Sequence, residues 1–190
     1  PVDISAYMVE KAMTKIRKAD VGEVVDFQWN ISDFENIENI SLLLRQGEFK
    51  KNLMLLLGNT LGNFEINGLL YEIRSSMKGG DFLLIGNGLD NRDSEDILKA
   101  YSNKYLDKML VKTLTEIGLK EDNLEYGARF NNSRIEMYYT IKKDCKIKFL
   151  EKEVQFNRSD QIVVAVSYKY TKEDFMSFLN IYFDDVITKV

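Results

Sequence analysis

With 190 residues, 45% of them hydrophobic and 29% charged, the chain has material for one large domain, or one and a half, beneath a soluble surface. A net charge of −4 provides no basic footprint for nucleic acid, and no apolar run approaches the ~18 residues of a membrane span. The absence of histidine excludes Ser–His triads, Cys–His dyads and most zinc sites, so no metal ligands are assigned; the single cysteine, Cys145, excludes an internal disulfide and suits a reducing cytoplasm.

The chain opens at Pro1 without a methionine, which suggests a fragment of a longer protein. Tyr7, Met8, Ala12, Met13 and Ile16 recur at helical spacing, with Ser5 placed to cap the helix and Lys15, Arg17 and Lys18 near its negative end. Glu23–Phe27 reads as a short strand ending in an acid and an aromatic. Ser32 or Asp33 can cap a second helix carrying Phe34, Ile37, Ile40 and Leu42 to Leu44.

The stretch LMLLLGNTLGNF, residues 53–64, is an apolar strand ending abruptly in a polar turn. Apolar throughout, the strand is expected to be parallel and covered by helices on both faces. Gly58 to Asn63 would then stand at a strand's carboxyl end, where open α/β sheets bind their ligands. Ile66, Leu69, Leu70, Ile73 and Met77 line the next helix, which Gly79-Gly80 stops. Asp81–Ile85 is a second buried strand, and Asp93 or Ser94 starts a helical pattern that runs with breaks to about residue 117.

Beyond residue 119 the period changes to two. Residues 127–149 alternate apolar and polar positions, as antiparallel strands with one wet face do. Gln161–Tyr168 forms one more strand, and Thr171 caps a last helix. The expected fold is α/β, with a doubly wound parallel portion over 1–118, an antiparallel region over 119–160, and a final strand and helix over 161–190.

Acids at the strand ends suit an adenosine-containing ligand. A carboxylate such as Asp3 can accept both protons of a ribose diol; Asp26 beside Phe27 can accept from an exocyclic amine while the ring covers a purine face. Each has a plainer structural reading: Asp3 as a helix cap, Phe27 as core, Gly58 and Gly62 as turn geometry.

Taken together, PVDIS (1–5), DF (26–27), LLLGNTLGNFE (55–65), GDFLLIGNGLD (80–90), RIEMYYT (134–140) and VSYKYT (166–171) resemble the histidine-specific, S-adenosylmethionine-dependent methyltransferases of ergothioneine biosynthesis, in the family's order. The resemblance implies a Rossmann-like class I methyltransferase sheet and S-adenosylmethionine as cofactor, held by Asp3, Asp26, Phe27 and Gly58. It places Asn63, Met137 and Ser167 beside a small amino-acid-like or amine substrate, with no catalytic side chain assigned. Histidine-specific members carry a glutamate two residues before this serine, where Ala165 stands here. Methyl transfer is therefore implied, and histidine as acceptor is not. A noncatalytic methyltransferase-fold module that binds a nucleoside or a protein partner is the alternative, and a Rossmann dehydrogenase is weaker because no G-x-G-x-x-G turn is present. The family's glycine-rich turn would lie upstream of Pro1. Without that first strand, an oligomeric contact or a gap is expected beside Leu53–Leu57.

Overall fold

A computed structural model describes residues 2–19, 29–33, 37–46, 49–89 and 92–189. The strand expected at Glu23–Phe27, with Asp26 and Phe27, lies outside them. The chain divides into two units: Pro1–Leu61, Glu65–Asn87 and Met176–Val190 form the first, and Gly62–Phe64 with Gly88–Phe175 the second.

In the first unit, β1 (Val2–Asp3) leads into α1 (Ala6–Lys18), capped by the Ser5 hydroxyl, which accepts from the Met8 amide at 3.4 Å. The basic residues fall in its last turn as expected. Val9 and Met13 are its buried residues, whereas Tyr7 and Met8 are exposed. β1 pairs in parallel with β2 (Asn30–Ile31). After α2 (Ile37–Leu44) comes β3 (Leu53–Leu56), then a single 3-10 turn over Thr60–Asn63 and α3 (Ile66–Ser76). α3 starts where the Glu65 carboxylate accepts the Asn67 and Gly68 amides, and it buries Ile66, Leu69, Leu70 and Ile73. β4 (Phe82–Ile85) runs parallel to β3, with Leu53 opposite Phe82 and Leu56 opposite Ile85.

The structure corrects one expectation about β3 and β4. Apolar through their length, they were expected to be buried on both faces, yet Leu53, Leu55, Leu57, Phe82 and Leu84 are each more than half exposed. Met54 and Leu56 turn the other way, and Ser76 of α3 reaches the Met54 sulfur at 4.0 Å. One face is covered by α3, and among the described residues no helix covers the other. β3 likewise pairs with β4 alone among the described residues.

Asp81 fixes the approach to this pair of strands. Its side chain is fully buried and accepts the Asn52 and Lys78 amides, each at 2.8 Å. The Arg45 guanidinium, beyond the end of α2, grips it with both terminal nitrogens, Nη1 at 3.2 Å and Nη2 more tightly. Arg45 Nη2 also donates to the Ser41 hydroxyl and the Ser76 carbonyl. The Arg45 hydrogen bonds, with the two amides, outweigh burial and hold the Asp81 carboxyl far below its ordinary range.

The second unit is helices packed on an antiparallel sheet. α4 (Ser94–Tyr101) is capped by Asp93 and α5 (Lys104–Thr115) by Asn103, so the expected broken helix is two helices. β5 (Leu124–Asn131) pairs with β6 (Arg134–Ile141). A hairpin of β7 (Cys145–Phe149) and β8 (Lys152–Phe156) follows, and β9 (Gln161–Tyr168) returns to the other edge of β6. α6 (Lys172–Tyr182), capped by Thr171, begins in this unit, and its residues from Met176 onward belong to the first.

Along β6 every second residue is an apolar core residue. Ile135, Met137, Tyr139 and Ile141 are buried and supply the core: Ile135 and Met137 with Ile97, Tyr139 and Ile141 with Val111, Leu114 and Leu124. β9 departs from this alternation. Met137 faces Ala165 but Tyr138 faces Val163, so Val164 is an extra residue, a bulge. Ile162 and Val164 pack against the core, and after the bulge Ala165 does too. The bulge thus puts Ala165 and Ser167 on the core side, where uninterrupted alternation from Ile162 would have put Val166 and Tyr168.

Candidate functional site

The expected cofactor residues that are described lie in the first unit. Asp3 ends β1, and its Oδ1 accepts the Ser5 amide at 2.8 Å. This is the cap geometry of the plainer reading, and it occupies one carboxylate oxygen and leaves the second unengaged among the described residues. Gly58 follows β3 with φ of +77°, in the left-handed region, and a Cβ there would meet nothing within 4 Å. Backbone conformation, not crowding, accounts for the glycine. The turn is tied to the end of β4 by the Asn59 amide, which donates to the Gly86 carbonyl at 3.3 Å.

The expected acceptor residues fall together in the second unit. Met137 is buried in β6 against Ile97 and Ile135, directly opposite Ala165. Ser167 sits two pairs further along, opposite Ile135 and on the same side of the sheet. Asn63 is exposed in the Gly62–Phe64 segment; a Cβ on its neighbour Gly62 would stand 3.4 Å from the Tyr168 carbonyl, which places the segment beside the end of β9.

Three further residues complete this cluster. The Tyr101 hydroxyl, at the end of α4, lies 3.0 Å from the Ser167 hydroxyl. Tyr126 donates its hydroxyl proton to the Tyr101 carbonyl at 2.7 Å, which fixes the end of α4 against β5. Burial, then the nearby Asp107 carboxylate, pushes the Tyr126 hydroxyl up, so it remains a donor. The Lys169 ammonium lies 5.1 Å from the centre of the Tyr101 ring. Sequence pattern had Tyr101 only within the broken helical pattern that starts at Asp93 or Ser94. The signal that could have found it is the Ser102-Asn103 break, which ends α4 at this tyrosine.

The other side of the same sheet carries a separate charged network. Glu136 is 3% exposed although it occupies the polar phase of β6. Its Oε1 accepts from Arg134 and from Asn131, and its Oε2 accepts from Arg129 Nε at 2.7 Å. The Arg134 bonds, followed by the Arg129 bond, hold its carboxyl down at about 2 despite burial. Arg129 lies over the Tyr138 ring at 4.8 Å, and that ring crosses Gly127, where a Cβ would come within 2.5 Å of it. The only carboxylate in the polar phase beside Met137 is therefore already neutralised and turned away from Ser167. A cavity of about 360 Å³, lined by Leu119, Lys120, Asn123, Cys145 and Ile147 among others, contains none of the candidate residues.

The family of histidine-specific, SAM-dependent methyltransferases matches residues 1–182. The chain belongs to this family. No curated protein matches it. Among solved structures, it is similar to an S-adenosylmethionine-dependent methyltransferase from Clostridium acetobutylicum ATCC 824, with 12% identity and a TM-score of 0.42. That likeness covers 94% of this chain and 61% of the other, so the chain spans less than two thirds of the length of that methyltransferase. The methyltransferase family match agrees with a mixed α/β chain in which parallel pairs β1–β2 and β3–β4 precede an antiparallel sheet. Among the described residues no helix is long and apolar enough to cross a membrane.

Proposed function

We propose that the chain works as an S-adenosylmethionine-dependent methyltransferase that acts on a small amino-acid-like or amine substrate in the cytoplasm. The observation that carries this reading is the family match over residues 1–182 together with the clustering of Met137, Ser167 and Tyr101 in one unit. The parallel pairs β1–β2 and β3–β4 support a Rossmann-like sheet, with Asp3 and Gly58 at strand ends.

The residues present fit the cofactor's chemistry. Asp3 keeps one carboxylate oxygen unengaged among the described residues, as acceptance from a ribose diol requires, and the backbone at Gly58 faces open space. Asp26 and Phe27 would hold the adenine. S-adenosylmethionine, when bound, supplies a methyl group activated on a sulfonium. The protein's share is positional. Asn63 holds the polar end of the acceptor, Ser167 and Tyr101 hold its other end, and Met137 with Ala165 gives a wall that keeps water out. Orientation of this kind contributes ~7–11 kcal/mol without any acid or base, which suits a chain lacking histidine.

Calorimetric titration of the full chain with S-adenosylhomocysteine tests the reading. Saturable binding that weakens on Asp3→Asn is the expected result. Absence of binding by the complete protein would overturn it, and binding without methyl transfer to any of a panel of amino acids and amines would favour a noncatalytic module.

A further inference from the structure

The group that meets the Tyr101–Ser167 pair has to satisfy a definite polarity. Two hydroxyls 3.0 Å apart own two protons, and their mutual bond uses one. The other proton stays available for donation while both oxygens can still accept, so the polarity of the site is set by the charge beside the pair. Beside it stands the Lys169 ammonium, over the Tyr101 ring at 5.1 Å, with three further donors and no acceptor. Among the described residues no carboxylate pairs with Lys169, and Glu136, the acid nearest in β6, lies in the opposite phase of the sheet under two arginines. Ala165, Met137 and Ile135, on the same side of the sheet, add apolar surface.

We propose that Lys169 is an acceptor-binding residue, and that with the Tyr101–Ser167 hydroxyl pair it takes a carboxylate of the methyl acceptor. This deepens, and rests on, the methyl-transfer reading above. An imidazolium or alkylammonium group would face a like charge that no carboxylate pairs with among the described residues, a loss that grows in a partly buried site. A carboxylate accepts the spare hydroxyl proton and one ammonium proton at once. Lys169 is held for the purpose: its backbone amide donates to the Ser133 carbonyl at 2.8 Å, which fixes the chain where β9 ends, and the Tyr101 face orients the side chain.

The carboxylate could come from the acceptor's side chain or from its α-carbon, and one set of probes separates the two. The full chain, saturated with S-adenosylhomocysteine, is titrated with succinate, glutamate, glutamine and isoglutamine. Glutamate or succinate is expected to bind, and about ten-fold weaker binding is expected for whichever amide removes the recognised carboxylate. Loss with glutamine identifies the side chain, and loss with isoglutamine the α-carboxylate. Lys169→Met should erase the preference while leaving S-adenosylhomocysteine binding and the melting temperature in place, and Lys169→Arg should retain most of it. Equal binding of glutamate and both amides, no binding of any carboxylate, or an unchanged preference in Lys169→Met would each overturn the proposal. If S-adenosylhomocysteine itself fails to bind, the methyl-transfer reading falls, and the carboxylate titrations repeated without it decide this one separately.

Discussion

Asp81→Asn is expected to unsettle the first unit more than any other isosteric change. The side chain is fully buried and its partner Arg45 is 10% exposed, so neither group can turn to water when the other is altered. The asparagine keeps one acceptor oxygen but presents an amide donor to the guanidinium and to either the Asn52 or the Lys78 amide, all of them donors. Breaking a buried ion pair costs about 3–5 kcal/mol, and the lower end applies because Arg45 retains the Ser41 hydroxyl and the Ser76 carbonyl. About 3 kcal/mol is a large part of the 5–15 kcal/mol that holds a typical domain together. Trp29, the single tryptophan, lies in the same unit and reports its unfolding. With a urea slope of about 1–3 kcal/mol/M, the fluorescence midpoint should fall by roughly 1–3 M. The pH dependence has a fixed sign. A carboxyl held below its ordinary value of 3.8 contributes stability that is complete above that value and is lost as pH falls below it. The wild type should therefore lose stability on acidification where Asp81→Asn loses less. A shift under 1 kcal/mol, or a cost for Arg45→Met that is the same in both backgrounds, would refute the reasoning, since coupled partners are not additive.

Glu136→Gln should cost about 2 kcal/mol, one charged hydrogen bond's worth, because Arg129 and Arg134 are 40% and 33% exposed and recover water. The wild-type contribution should be complete above pH 4.5 and decline as pH falls toward 2, which an acid titration of stability in both proteins would measure. Gly127→Ala should destabilise by about 1–3 kcal/mol, since the Tyr138 ring must leave its place over the glycine. Thermal melts should show most of that cost removed in a Tyr138→Ala background.

Much of the fold was legible because the signals are local. Ser5, Asp93 and Thr171 each accept an amide at the start of a helix, and the period-two pattern of Ile135, Met137 and Tyr139 marks the core side of β6. What composition could not express was which faces meet a partner. Leu53 and Leu55 have the same letters as a doubly covered strand, yet their exposure is decided by which helices lie nearby. Glu136 looked like a solvent-side residue, and two arginines from β5 and β6 folded over it. In the candidate site, Met137 and Ser167 were visible through the motifs that hold them. Tyr101 and Lys169 were not assigned, because their relation depends on a helix end meeting a strand 66 residues away. Asp26 and Phe27 lie outside the described residues.

The extra residue at Val164 gives β9 a reading frame. Excising it would remove no polar side chain and yet rotate Ala165 and Ser167 to the side of Arg134 and Glu136, exchanging them for Val166 and Tyr168. The identity of this face is thus counted along the strand as well as spelled in it. Two relatives with identical letters here, differing by one residue of length, would offer an acceptor opposite surfaces.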